Sequence, residues 1–145
     1  MATVSDVLSG KKESHLFSID STASVLEATR LMNQYKVGAL VINEDGRVNG
    51  IFTERDVLRR VIAEQLPPGD VRVGQVMTRD VICVELDADL DEVSAIMKAR
   101  RIRHLPVCAD GKIVGLISIG DVNAHYASNQ AQTIHFLNDY IYGRA

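Results

Sequence analysis

Tryptophan is absent from this chain, aromatic residues make up only 5% of it, and its 145 residues include two cysteines and three prolines. With so few rings, an interior has to be filled by aliphatic side chains, and the 46% of hydrophobic residues suffices for an α/β core. The cysteines, Cys83 and Cys108, lack metal or redox spacing and sit in apolar runs, so both are expected to be small buried side chains. The four histidines, His15, His104, His125 and His135, show no ligand spacing, and no zinc site is expected. A basic excess is missing too. The net charge is −3 and the pI about 5.8, which argues against a nucleic-acid partner. No apolar run reaches the length of a spanning helix, and the N-terminus has neither the basic nor the apolar region of a leader, so a cytoplasmic protein without a membrane partner is expected. Also lacking are a nucleophile with a base at motif spacing, a metal cluster and a P-loop, which leaves an enzyme as the weaker reading.

What the chain does contain is one unit written twice. Gly50-Ile51-Phe52-Thr53-Glu54-Arg55-Asp56-Val57 returns 65 residues later as Gly115-Leu116-Ile117-Ser118-Ile119-Gly120-Asp121-Val122. Residues 19–61 slide onto 84–126 without a gap, matching Met32 to Met97, Leu40 to Leu105, Asp45-Gly46 to Asp110-Gly111 and Asp56 to Asp121. Two long copies cannot form an open array, so the pattern predicts a duplicated unit folded face to face, with any site at the junction occurring in pairs.

Along the chain, residues 1–18 read as a lead-in segment and loop carrying a short apolar pattern at Val4, Val7 and Leu8. Ser24-Val25-Leu26-Glu27 has the form of a capping box, followed by Val25, Ala28, Leu31, Met32 and Tyr35 at helical spacing. Val37–Ile42, the turn Asp45-Gly46 and Val48–Phe52 read as an antiparallel hairpin, and Thr53 opens a helix with Val57, Leu58, Val61 and Ile62 on one stripe. Pro67-Pro68-Gly69 breaks the halves apart. The second half repeats the order, with a strand at Val81–Val84, a helix capped near Asp89, a hairpin over Ile102–Val107 and Ile113–Ile117, and a helix from Ser118. Each half reads β-α-β-β-α. Thr133–Gly143 reads as a short helix that packs on the body or on a partner.

Thr53-x-x-Asp56 and Ser118-x-x-Asp121 stand where a strand ends and a helix begins, which is the pattern of a simple capping box. Duplication, however, brings the two helix starts toward a shared cleft. A helix N-terminus attracts phosphate, whereas a carboxylate in the same turn repels it and suits a neighbouring diol. The combination fits a nucleoside phosphate better than a free anion. In the basic run Lys98-Ala99-Arg100-Arg101-Ile102-Arg103-His104, the first three cations read as a solvated helix end, while Arg103 and His104 enter a strand and are the phosphate candidates.

Each half resembles a CBS domain, the repeat named for cystathionine β-synthase, and the whole resembles a stand-alone tandem pair over residues 15–127. The resemblance rests on Val37-Gly38-Ala39-Leu40-Val41, the two Asp-Gly turns, the two Gly-rich strand ends and Arg103-His104-Leu105-Pro106-Val107. It implies an α/β (α+β) fold of two repeats about a pseudo-twofold axis: a lead-in at 1–18, repeats at 15–65 and 74–127, a linker at 66–73 and a helical tail at 128–145. It also implies regulation by adenosine compounds (AMP first, then ADP, ATP, NAD(H) or S-adenosylmethionine), a homodimer, and an effector protein whose identity the residues do not reveal. By position, Asp56 and Asp121 would hold ribose hydroxyls, and Thr53 and Ser118 would contact ribose or phosphate. The base would lie near Val37–Ala39 or Ile102–His104. Ile119 and Gly120 replace Glu54 and Arg55, so Arg55 joins the candidates in one copy only. The resemblance further places Arg103 and His104 in the cleft of Asp56, and Gly38 and Ala39 in that of Asp121, which predicts unequal clefts. The remaining alternative is a ligand-free dimerisation scaffold.

Overall fold

The computed structural model describes residues 2–10 and 17–129. Its elements are α1 (Val4–Ser9), β1 (Ser18–Asp20), α2 (Val25–Tyr35), β2 (Ala39–Glu44), β3 (Arg47–Thr53), α3 (Glu54–Asp56) continuing as a π-helix over Val57–Ile62, α4 (Val73–Val76), β4 (Val84–Glu85), α5 (Leu90–Arg100), β5 (His104–Ala109), β6 (Lys112–Ser118) and α6 (Ile119–Asn129). The expected β-α-β-β-α order holds in both halves, each preceded by a short helix. Two three-stranded sheets form, β1-β2-β3 and β4-β5-β6, with the first pair of strands parallel and the second antiparallel in each. The duplication extends to the register: Ile19 opposes Ile42 as Val84 opposes Val107, and a bulge follows Ile42 and Val107 alike. Both hairpins turn on Asp-Gly pairs in which both residues have positive φ, the turn that matches strand twist and that glycine and aspartate tolerate best. α2 and α5 each end on a left-handed residue, Lys36 and Arg101.

The two cores exchange their lead-in helices. Val73, Val76 and Met77, which precede the second repeat, pack with Val25, Met32, Leu40, Phe52 and Val61 of the first. Val4 and Val7, which precede the first, pack with Leu90, Val93, Met97, Leu105 and Ile117 of the second. The lead-in is therefore a capped helix, Thr3 and Asp6 closing its capping box, and part of the second core. Several local expectations change. The strand expected over Val81–Val84 begins only at Val84 and runs to Glu85. Among the described residues only one arm of the box at Ser24 forms, with Glu27 N–H donating to Ser24 Oγ at 3.0 Å. Cys83 is exposed and Cys108 half-buried rather than both being buried. After Asp56 the helix winds as a π-helix, shown by Ala63 N–H bonding Leu58 O at 2.9 Å. The wider turn changes the phase of the stripe. Val61 points inward, fully buried, while Leu58 and Ile62 are 63% and 54% exposed. The helix expected over Thr133–Gly143 lies outside the described residues.

Candidate functional site

Both repeated turns fold as capping boxes. Thr53 N–H donates to Asp56 Oδ2 at 3.0 Å and Asp56 N–H to Thr53 Oγ1 at 3.4 Å. Ser118 N–H donates to Asp121 Oδ2 at 2.8 Å and Asp121 N–H to Ser118 Oγ at 3.0 Å. Asp56 is only 6% exposed, and a carboxylate so placed must be held by donors and a cation. The Thr78 hydroxyl donates to its Oδ1 and Oδ2 at 3.2 and 3.4 Å, and Arg60 Nε lies 3.6 Å from Oδ1. Arg60 also donates through Nη1 to the carbonyls of Val76 and Met77 at 3.2 and 3.0 Å, so one guanidinium ties the π-helix to the chain that enters the second repeat.

That connecting segment is held to the first repeat at two further points. Ile51 and Thr78 exchange backbone bonds of 3.0 and 2.9 Å. Gly50 leaves room for the crossing, since a Cβ there would stand 2.7 Å from the Thr78 carbonyl oxygen and 2.8 Å from Met77 Sδ. Arg79 grips Glu44 through both terminal guanidinium nitrogens, Nη1 and Nη2, at 2.9 and 3.2 Å and donates from Nη2 to the Gly74 carbonyl at 2.9 Å. The Arg79 bond is the main reason the Glu44 carboxyl lies below its usual value, with burial opposing it.

A cavity of about 580 Å³ opens between the halves beside Asp56. This is within the range of small-molecule pockets, roughly 300–1,000 Å³. Of the candidates read from sequence, Gly38, Thr53, Arg55, Asp56, Arg103 and His104 all line it, so it joins the cap of the first repeat to the basic strand entry of the second. Val81, Ile82, Ile102 and Pro106 supply apolar wall. Ala39, which is buried, and Ser118 and Asp121 do not line it. Gly38, expected beside Asp121, instead belongs here: a Cβ on it would meet His104 Cε1 and Nε2 at 3.2 Å, so the imidazole packs on the space that glycine leaves. Arg55 Nη1 donates to the carbonyl of Arg101, at the end of α5, a cation on the negative end of a helix that links the halves.

Sequence reasoning missed Arg59, Arg60 and Arg100, all of which line the cavity. Arg59 and Arg60 follow Asp56 by three and four positions, a signal that could have placed them on its face. With Arg55 and Arg103, five arginines line the cavity against three acidic residues, Glu54, Asp56 and Asp80, a local basic excess in an acidic chain.

Residues 4–63 and 73–128 each match the family model described as the CBS domain. The chain belongs to the CBS-domain family. It is 34% identical to the CBS domain-containing protein CBSX3, mitochondrial, of Arabidopsis thaliana, over 97% of this chain and 72% of that one. The solved structure of a CBS-domain protein from Burkholderia ambifaria is 36% identical, with a TM-score of 0.85 over 89% of this chain and 96% of that one. CBS-domain proteins are generally regulatory and ligand-binding. Hypoxic Response Protein I, 25% identical with a TM-score of 0.69 over 86% of this chain and 99% of that one, is solved with two coordinated zinc ions. Among the described residues of this chain, no group of three His, Cys, Asp or Glu is placed to hold a metal ion. Nor is any helix there long and apolar enough to cross a membrane.

Proposed function

We propose that this tandem CBS pair is a non-catalytic cytoplasmic sensor that binds an adenosine nucleotide, AMP first, beside Asp56 and signals its state to an effector protein. One observation carries the reading: a single cavity gathers the buried carboxylate of one repeat, the strand-entry cations Arg103 and His104 of the other, and an apolar wall. A carboxylate has about four acceptor sites. Thr53 N–H and the hydroxyls of Thr53 and Thr78 take three of those on Asp56, which leaves capacity for one ribose hydroxyl. The adenine would lie against Val81, Ile82, Ile102 and Pro106, with the phosphate toward Arg103, His104 and Arg100. ADP, ATP or NAD(H) would place further phosphate among the same cations. In the second repeat, Asp121 and Ser118 offer the same cap with Ile119 and Gly120 between them, and would form the weaker site.

The test is a thermal-shift series with AMP, ADP, ATP, NADH and S-adenosylmethionine. At a concentration about a hundredfold above the dissociation constant, a bound ligand stabilises by about 2.7 kcal/mol. For a chain of this size that is a rise of several degrees. AMP is expected to produce it, and a flat response to all five compounds would instead support a ligand-free scaffold.

A further inference from the structure

Cys83 and Cys108 are the only cysteines of the chain, and both are free thiols. β4 and β5 run parallel, with Val84 opposite Val107 and Glu85 opposite Cys108. Side chains alternate across a strand, so the buried Val84 and Val107 share the core face while Cys83 and Cys108 share the other. Cys83 stands just ahead of the ladder, where residues 81–83 have no regular backbone structure, so it can approach Cys108 without breaking a strand bond. The two side chains are thus neighbours on one face, displaced along the ladder by two positions. The Cys108 thiol is pushed up to about 12, first by burial and then by the Cys83 thiol beside it. One partner is open to solvent and the other sheltered, the arrangement of an attacking thiol and a resolving thiol.

We propose that Cys83 and Cys108 form a dithiol modification site that a hydroperoxide closes to an intrachain disulfide. The Cys83 thiolate attacks a peroxide oxygen. The O–O bond breaks, the departing oxygen takes a proton and leaves as water or alcohol, and Cys83 becomes a sulfenic acid. The Cys108 sulfur then attacks the Cys83 sulfur, the S–O bond breaks, and the hydroxyl leaves as water with the Cys108 proton. Two thiols are oxidised and one peroxide is reduced. Val81 and Ile82 adjoin Cys83, and Leu105 and Pro106 lie just before Cys108. All four line the cavity, so the bond would tie two of its walls together whatever ligand the cavity holds.

The experiment exposes the full chain to a small excess of hydrogen peroxide and measures intact mass and free thiols under non-reducing conditions. A monomer-length product lighter by two hydrogens is expected, with both thiols lost and restored by dithiothreitol. The same treatment of Cys83→Ser or Cys108→Ser should give no lighter species. A wild-type product that is heavier by added oxygen, or that is linked between chains, overturns the proposal. Neither readout depends on a nucleotide.

Discussion

Replacing Gly50 by alanine probes the crossing that positions Asp56. The added Cβ would stand 2.7 Å from the Thr78 carbonyl oxygen, 2.8 Å from Met77 Sδ and 3.2 Å from Met77 Cγ. The carbonyl cannot retreat freely, because it accepts from Ile51 N–H at 3.0 Å while Thr78 N–H donates to Ile51 O at 2.9 Å. Met77 is itself 3% exposed and has little space to yield. Overpacking of this kind costs about 1–3 kcal/mol. Loss of a backbone bond adds about 1 kcal/mol, and the smaller entropy of an unfolded alanine returns about 0.4–1 kcal/mol. The net expectation is a destabilisation of about 1–3.5 kcal/mol. Gly115→Ala is the internal control at the equivalent position. There the nearest atom is Leu8 Cδ1 at 3.0 Å, the end of a side chain that can rotate away, so the cost should stay below about 1 kcal/mol. Urea unfolding with an unchanged m-value measures both. Equal midpoints, or a larger loss for Gly115→Ala, would refute the reasoning.

Further outcomes follow from other contacts. Arg79 lowers the folded pKa of Glu44 from its ordinary 4.5, so this contribution is complete above 4.5 and disappears as pH falls through the lowered folded value. Protection of the Thr78 amide from hydrogen exchange should therefore weaken in acid in the native chain and be already weakened, without that pH dependence, in Glu44→Gln. An unaltered profile in the variant would show that Glu44 does not clamp the segment. Leu58 and Ile62 are exposed large apolar side chains one helical turn apart, a patch that suits a second copy of the chain. Light scattering should give about twice the 15.9 kDa chain mass for the native protein and a single mass for a Leu58→Glu, Ile62→Glu variant, and a native monomer would contradict the dimer.

The two repeated caps and both hairpin turns were legible in the sequence. The capping boxes at Thr53 and Ser118, and the Asp45-Gly46 and Asp110-Gly111 turns, depend on local geometry and appear where the pattern put them. The family resemblance put Arg103 and His104 beside the first cap, and both line its cavity, whereas Gly38, read into the cleft of Asp121, lines that same cavity. The exchange of α1 and α4 between cores was not legible. Val4 and Val7 state that a helix has an apolar side, but not which sheet covers it. The orientation of Leu58 and Ile62 was misread because an α-helical period was assumed where the chain winds as a π-helix. Arg100 read as a solvated helix end because a cation there complements the dipole equally well whether it faces water or a cleft. Thr78 carries no motif at all, and its role at Asp56 follows only from how the connecting segment crosses β3.

On the proposed function, the Asp56 cavity, with Arg103 across from it, is the tight nucleotide site. Calorimetric titration of AMP into the native chain, Asp56→Asn, Asp121→Asn and Arg103→Ala separates the two clefts, with melting curves confirming that each variant is folded. A charge-assisted hydrogen bond contributes about 1.5–3 kcal/mol, so Arg103→Ala should weaken the tighter event by roughly 10- to 100-fold. Asp56→Asn should weaken the same event, and Asp121→Asn should leave it intact. If Asp121→Asn abolishes the tighter event, or Arg103→Ala leaves it unchanged, the site has been assigned to the wrong cleft.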